Sequence, residues 1–149
     1  MKNPIKKVLF VCTGNTCRSP MAQVMAAQLF GGDFEVASAG IMAMPDEAAS
    51  IHAVTAMRER QLDLQKHQAQ MVTDALIDCA DLILTMTPSH KAALSHAQMA
   101  KNKIHTLGEY ADCNISVSDP YGGTIEVYRT CADEIHELLL KIRDKLMSY

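Results

Sequence analysis

The chain predicts an α/β fold, a four-stranded parallel sheet of order 2-1-3-4 with helices on both faces in a three-layer sandwich. Short strand-like runs at Val8–Val11, Phe34–Ala39, Asp81–Thr85 and Lys103–Leu107 alternate with segments of helical periodicity. Such alternation implies right-handed crossovers and a parallel sheet covered on both sides. Leu82-Ile83-Leu84 is continuously apolar, as a strand buried on both faces requires. With 149 residues, 48% of them apolar and 21% charged, the chain has enough material for one globular domain over 1–149 with a real core.

The first strand breaks at Cys12 into a loop containing Gly14-Asn15, two residues that tolerate positive φ. Ser19 is expected as the N-cap of the first helix and Pro20 as its first residue. Ala22, Met25, Ala26 and Leu29 then recur at helical spacing up to Phe30, ahead of Gly31-Gly32. Gly40 ends the second strand, and Ile41–Pro45 reads as a loop returning across the first. A helix is predicted from Asp46 to about Gln61, with Ile51, Val54 and Met57 inward, Arg58 and Arg60 outward and His52 at the surface. A short extended piece at Leu62–Leu64 precedes Lys66-His67, and Thr73 caps a brief helix through Cys79.

After the third strand, Met86–His90 turns into a helix over Lys91–His96, where His90 supplies polarity at the helix start. The last helix begins around Gly123-Thr124. Tyr128, Cys131, Ala132, Ile135, Leu138, Leu139, Ile142 and Leu146 form its apolar stripe. The stripe is too short and irregular for a coiled-coil seam, so it reads as core.

Chemistry concentrates in Cys12-Thr13-Gly14-Asn15-Thr16-Cys17-Arg18-Ser19. A strand that turns directly into a helix presents free backbone N–H groups and the positive end of the helix dipole, a natural seat for a dianionic phosphoryl group. Successive amides of the loop can form an anion nest. At its start stands Cys12, a thiolate nucleophile in this setting, and at its end Arg18, whose planar fork holds two phosphoryl oxygens at once. Thr13, Gly14, Asn15, Thr16, Cys17 and Ser19 are the expected substrate-binding positions, the Ser19 hydroxyl also reaching the sulfur. No Gly-Lys-Ser/Thr ending is present, so the loop is not a nucleoside-triphosphate cradle. A leaving group expelled by Cys12 needs a proton. Asp119, in Ser-Asp-Pro-Tyr-Gly-Gly before the last helix, is the expected acid, and later the base that activates water, with Tyr121 beside it as a further substrate-binding position.

At these residues the chain resembles the low-molecular-weight protein tyrosine phosphatase family, and Thr13-Gly14-Asn15-Thr16 resembles its bacterial protein-arginine phosphatase branch. The likeness covers essentially the whole chain, including Asp119-Pro120-Tyr121-Gly122-Gly123. It implies a protein phosphatase working through a cysteinyl phosphate, and a structural role for His67 in supporting the loop. Tyrosine-specific relatives resemble Cys-Leu-Gly-Asn-Ile-Cys-Arg, with a further aromatic after Asp-Pro-Tyr and an aromatic wall near position 42. Here Thr13, Thr16 and Gly122 stand instead, with Met42 and Met44 in the returning loop, and no Trp occurs. These changes remove apolar walls that favour a phenyl ring. Phosphoarginine in proteins is therefore the expected substrate, with phosphotyrosine as the alternative.

Two further classes carry less. Arsenate reduction on a similar loop would require another redox pair late in the chain, and Cys79 has none near it. A non-catalytic phosphate binder has no reason to keep Cys12, Arg18 and Asp119 together. The net charge of −3 argues against a nucleic-acid partner. No apolar stretch suggests a signal peptide or membrane span, so the expectation is a cytoplasmic protein. Five cysteines without regular spacing fit neither a disulfide framework nor a zinc site, and no metal or cofactor is expected. Cys17, five residues beyond Cys12 on a curling loop, suggests a reversible Cys12–Cys17 disulfide under oxidation.

Overall fold

A computed structural model of the chain describes residues 5–94 and 102–148. Four parallel strands, β1 (Lys7–Cys12), β2 (Glu35–Gly40), β3 (Leu82–Thr85) and β4 (Ile104–Thr106), form one sheet in the order β2-β1-β3-β4. That is the predicted order. Phe10 lies opposite Ser38 on one side and Leu84 on the other, so β1 is fully flanked.

Alternate side chains of β1 feed two cores. Val8, Phe10 and Cys12 join a cluster with Met21, Met25 and Phe30 of α1 (Arg18–Phe30), Ala53 and Met57 of α2 (Ile51–Arg58), and the stripe of α6 (Ile125–Met147). Leu9 and Val11 join Ile77 of α3 (Asp74–Cys79) and Leu94, which follows α4 (Pro88–Ala93). The three layers follow directly. All eight predicted α6 stripe residues are buried, from Tyr128 to Leu146. Full burial of such a side chain contributes about 1.5–3 kcal/mol for Leu or Ile, so this helix anchors one face of the sheet.

Several boundaries differ from expectation. Helix α1 starts at Arg18 with Cys17 in the N-cap place and no side-chain cap. Ser19 is not the cap and Pro20 is not the first residue, because the Ser19 hydroxyl is engaged by Cys12 and Asn15. Helix α2 begins only after Ser50, whose side chain accepts from the Ala53 N–H, leaving Asp46–Ala49 as loop. At that first helical position Ile51 is 81% exposed rather than in the core. Helix α4 starts at Pro88, capped by Thr87, so His90 lies inside it. Its predicted extension to His96 lies outside the described residues. Strand β4 ends at Thr106, because Leu107–Tyr110 forms a further short helix, α5, closed by a Thr106/Glu109 capping box.

Gly40 shows how tightly β2 supports the loop after β1. A Cβ there would stand 2.5 Å from the Thr13 carbonyl oxygen and 3.0 Å from the Asn15 nitrogen. Both are backbone atoms of the loop, which has no room to retreat. Gly40→Ala is expected to cost about 2 kcal/mol or more, read as a lowered Tm in thermal unfolding.

Candidate active site

The loop between β1 and α1 is held from behind by one side chain. Asn15 is fully buried at φ 57, a left-handed conformation that asparagine tolerates better than most residues. Gly14, expected to share this feature, has no positive φ. The Asn15 Oδ1 accepts from the Gln70 N–H at 2.9 Å, which orients the amide so that Nδ2 donates to Ser19 Oγ at 2.8 Å and Ser38 Oγ at 2.9 Å. His67 Nε2 donates to the Asn15 carbonyl at 2.7 Å. Burial lowers the His67 pKa, opposed by that hydrogen bond. The neutral ring therefore supports the loop, the place that the family likeness implied.

Cys12 ends β1 and is 2% exposed, its sulfur 2.9 Å from Ser19 Oγ. Because Ser19 Oγ accepts from Asn15, its own proton is free to point at the sulfur. Arg18, 4% exposed, is carried by the first turn of α1. Its Nη1 donates to the Val117 carbonyl at 3.0 Å, and Nη2 lies 3.5 Å from Thr13 Oγ1 and 3.7 Å from Asp119 Oδ2. Val117 in turn donates its N–H to the Met86 carbonyl at the end of β3. That pair of bonds carries the Asp119 loop over the carboxyl end of β1. Asp119 keeps half its side chain exposed, and its Oδ1 accepts from the Tyr121 N–H at 3.1 Å.

One hollow of about 270 Å³ brings together Cys12, Thr13, Gly14, Thr16, Cys17, Arg18, Asp119 and Tyr121. Asn15 and Ser19, expected among the substrate-binding positions, are buried at 0% behind this lining, where their side chains hold the loop. Cys17 directs its sulfur to Tyr128 Oη at 3.2 Å and Ser50 Oγ at 3.5 Å, and both Cys12 and Cys17 are free thiols. Glu47, which the sequence reading passed over, completes the wall. Met42 and Met44, expected to replace an aromatic wall, do not line the hollow and are 74% and 69% exposed.

His90 is also more than helix-start polarity. It is buried, with Nε2 2.9 Å from Thr13 Oγ1 and Nδ1 3.2 Å from Thr87 Oγ1. Burial first, then the Arg18 charge, depress its pKa to about 4, against an opposing pull from Asp119. The unfolded chain, with histidine near its ordinary 6.5, takes a proton that the folded ring refuses. Stability is therefore expected to fall as pH drops from about 6.5 to about 4, by on the order of 3 kcal/mol from this residue. Urea unfolding of wild type and His90→Gln across that range checks it, the variant losing less.

A thiol at the start of the loop, a guanidinium beside it and a carboxyl group on the same hollow can bind an oxyanion, attack it and exchange a proton with what leaves. The fold and this hollow define a phosphatase-type α/β scaffold with its site at the carboxyl end of β1, beside the point where strand order reverses. The chain belongs to the low molecular weight phosphotyrosine protein phosphatase family, whose pattern matches residues 7–148.

It is 40% identical over 144 residues to a protein-arginine-phosphatase of Bacillus subtilis (strain 168), covering 93% of this chain and 95% of the relative. It is 38% identical over 138 residues to the low molecular weight protein-tyrosine-phosphatase PtpB of Staphylococcus aureus, covering 93% and 97%. Among solved structures, the YwlE arginine phosphatase variant with a phosphorylated active site serine superposes with a TM-score of 0.89 at 39% identity, covering 95% of each chain.

Proposed function

We propose that the protein is a protein phosphatase that hydrolyses phosphoarginine through a phosphorylated Cys12. The convergence of Cys12, Arg18 and Asp119 on one hollow carries this reading. In the first step the Cys12 sulfur attacks phosphorus, the P–N bond breaks, and Asp119 gives its proton to the departing guanidine nitrogen. Arg18 and the loop amides hold the equatorial oxygens as charge spreads over them. Asp119, now a carboxylate, takes a proton from the water that attacks the phosphocysteine, releasing phosphate and the thiolate. The YwlE variant with a phosphorylated serine supports a covalent phosphoenzyme of this kind.

The wall of the hollow supports arginine as the donor side chain. Thr16, Glu47 and Asp119 are polar or acidic, and Tyr121 is the aromatic member. The Glu47 carboxylate suits a planar cation, which it can meet through charge-assisted hydrogen bonds, while Asp119 faces the nitrogen it protonates. Phosphotyrosine is the second reading, favoured by Tyr121, whose ring is 79% exposed at the rim and can stack on a phenyl group.

Matched kcat/KM values on phosphoarginine and phosphotyrosine peptides of one sequence decide between them. A preference for phosphoarginine of about tenfold or more is expected, and a tyrosine preference overturns the assignment. Thr16→Ile is expected to shift the ratio toward phosphotyrosine by adding apolar wall. Substrate proteins and five free thiols together suit a reducing compartment, the cytoplasm in our reading. Among the described residues no helix is long and apolar enough to cross a membrane.

A further inference from the structure

His90 lies on α4, beyond the loop that holds the phosphoryl group, yet its ring closes a chain of hydrogen bonds that ends on Arg18. Donor and acceptor accounting allows that chain to run in one direction throughout. Arg18 Nη2 can only donate, so Thr13 Oγ1 accepts from it at 3.5 Å. The hydroxyl's single proton can then go to His90 Nε2 at 2.9 Å, which presents a lone pair in the Nδ1–H tautomer. In that tautomer the ring proton sits on Nδ1 and goes to Thr87 Oγ1 at 3.2 Å. Thr87 Oγ1 is 3.0 Å from Ser89 Oγ, where its own proton can go. Every member is satisfied in this tautomer.

We propose that His90 is a positioning residue: as the neutral Nδ1–H tautomer it fixes the Thr13 hydroxyl, and through it one arm of the Arg18 guanidinium, for the phosphoryl oxygens. This rests on the reading of Arg18 as the group that holds phosphate. The other arm is already fixed by the Val117 carbonyl at 3.0 Å, so Thr13 and Asp119 decide where Nη2 points. Asp119 is needed elsewhere during turnover, which leaves the Thr13 contact as the one independent of the proton transfer. Protonation of His90 would turn Nε2 into a donor, so the Thr13 proton would lose its acceptor on the ring and the hydroxyl would no longer be held in one orientation. Arg18 and Asp119 are the charged groups that face the ring, the first opposing its protonation and the second favouring it.

The test is inorganic phosphate binding, titrated directly by calorimetry, alongside KM and kcat for p-nitrophenyl phosphate. His90→Leu and Thr13→Val are each expected to weaken phosphate about tenfold, with KM rising more than kcat falls. The double variant should be no weaker than either alone, since both cut the same chain. In His90→Gln, Oε1 can accept from Thr13 near the place of Nε2, and affinity should return to within about twofold of wild type. Its advantage over His90→Leu should persist at pH 4.5, where wild type begins to lose affinity relative to it.

Additive losses in the double variant, or His90→Gln no better than His90→Leu at equal Tm, overturn the proposal. Parallel loss of phosphate by wild type and His90→Gln toward pH 4 overturns its tautomeric basis. Should His90→Leu not fold, Thr13→Val measured in the wild-type and His90→Gln backgrounds makes the same comparison. Failure of the phosphatase reading looks different: wild type would bind phosphate through this chain and turn over nothing.

Discussion

Cys12→Ser is expected to abolish turnover of p-nitrophenyl phosphate and of phosphoarginine peptides, by about four orders of magnitude or more. An alcohol at this place is a far weaker nucleophile than a thiolate. The fold should be untouched. Serine is smaller than cysteine, can keep the bond to Ser19, and leaves β1 fully paired with β2 and β3. Steady-state assay with a matched Tm and phosphate titration checks this. More than about 1% residual activity, on the scale that removal of a nucleophile normally sets, would move the nucleophile elsewhere.

Asp119→Asn is expected to split by leaving group. An arginine nitrogen leaves poorly without a proton, so kcat/KM on phosphoarginine should fall by about 100- to 1,000-fold. The p-nitrophenolate ion needs little help, so its kcat/KM should fall much less. Hydrolysis of the phosphocysteine then becomes slow in the absence of a base, and a burst of nitrophenolate equal to enzyme should precede a slow steady rate. Asparagine can keep the Oδ1 contact to the Tyr121 N–H, and the weakened 3.7 Å contact to Arg18 touches both substrates alike. Equal losses on both substrates would remove Asp119 as the proton donor.

Much of this site could be read from spacing because its chemistry is local. Cys12 and Arg18 are six residues apart on a strand–loop–helix unit, and the α6 stripe follows a single periodicity. The four strands carry their own hydrophobic signature. What the sequence hid was tertiary. Ser19 has the right chemistry for an N-cap, but Asn15 and Cys12 engage its hydroxyl first. Ile51 satisfies a helical repeat that begins at Asp46, whereas the helix begins at Ile51 itself, after the Ser50 cap, and turns that side chain outward.

Glu47 and His90 reach the site from segments 35 and 78 positions after Cys12, brought there by the sheet rather than by any local pattern. One signal was present for His90: it follows β3, the neighbour of β1, at the edge where sheets of this kind place ligands. The short helix α5 also carried its signal, a Thr106…Glu109 capping box. Its four residues were too few for a periodicity to reveal.

The Asn15 amide has a thermodynamic consequence. Both of its N–H donors and its carbonyl oxygen are already engaged by Ser19, Ser38 and Gln70, so the cradle holds its shape before any guest arrives. An incoming tetrahedral oxyanion then pays no conformational toll for ordering the peptide and is admitted by size and charge alone. Vanadate and sulfate should enter as readily as their dimensions allow, with association governed by encounter and shedding of water rather than by rearrangement.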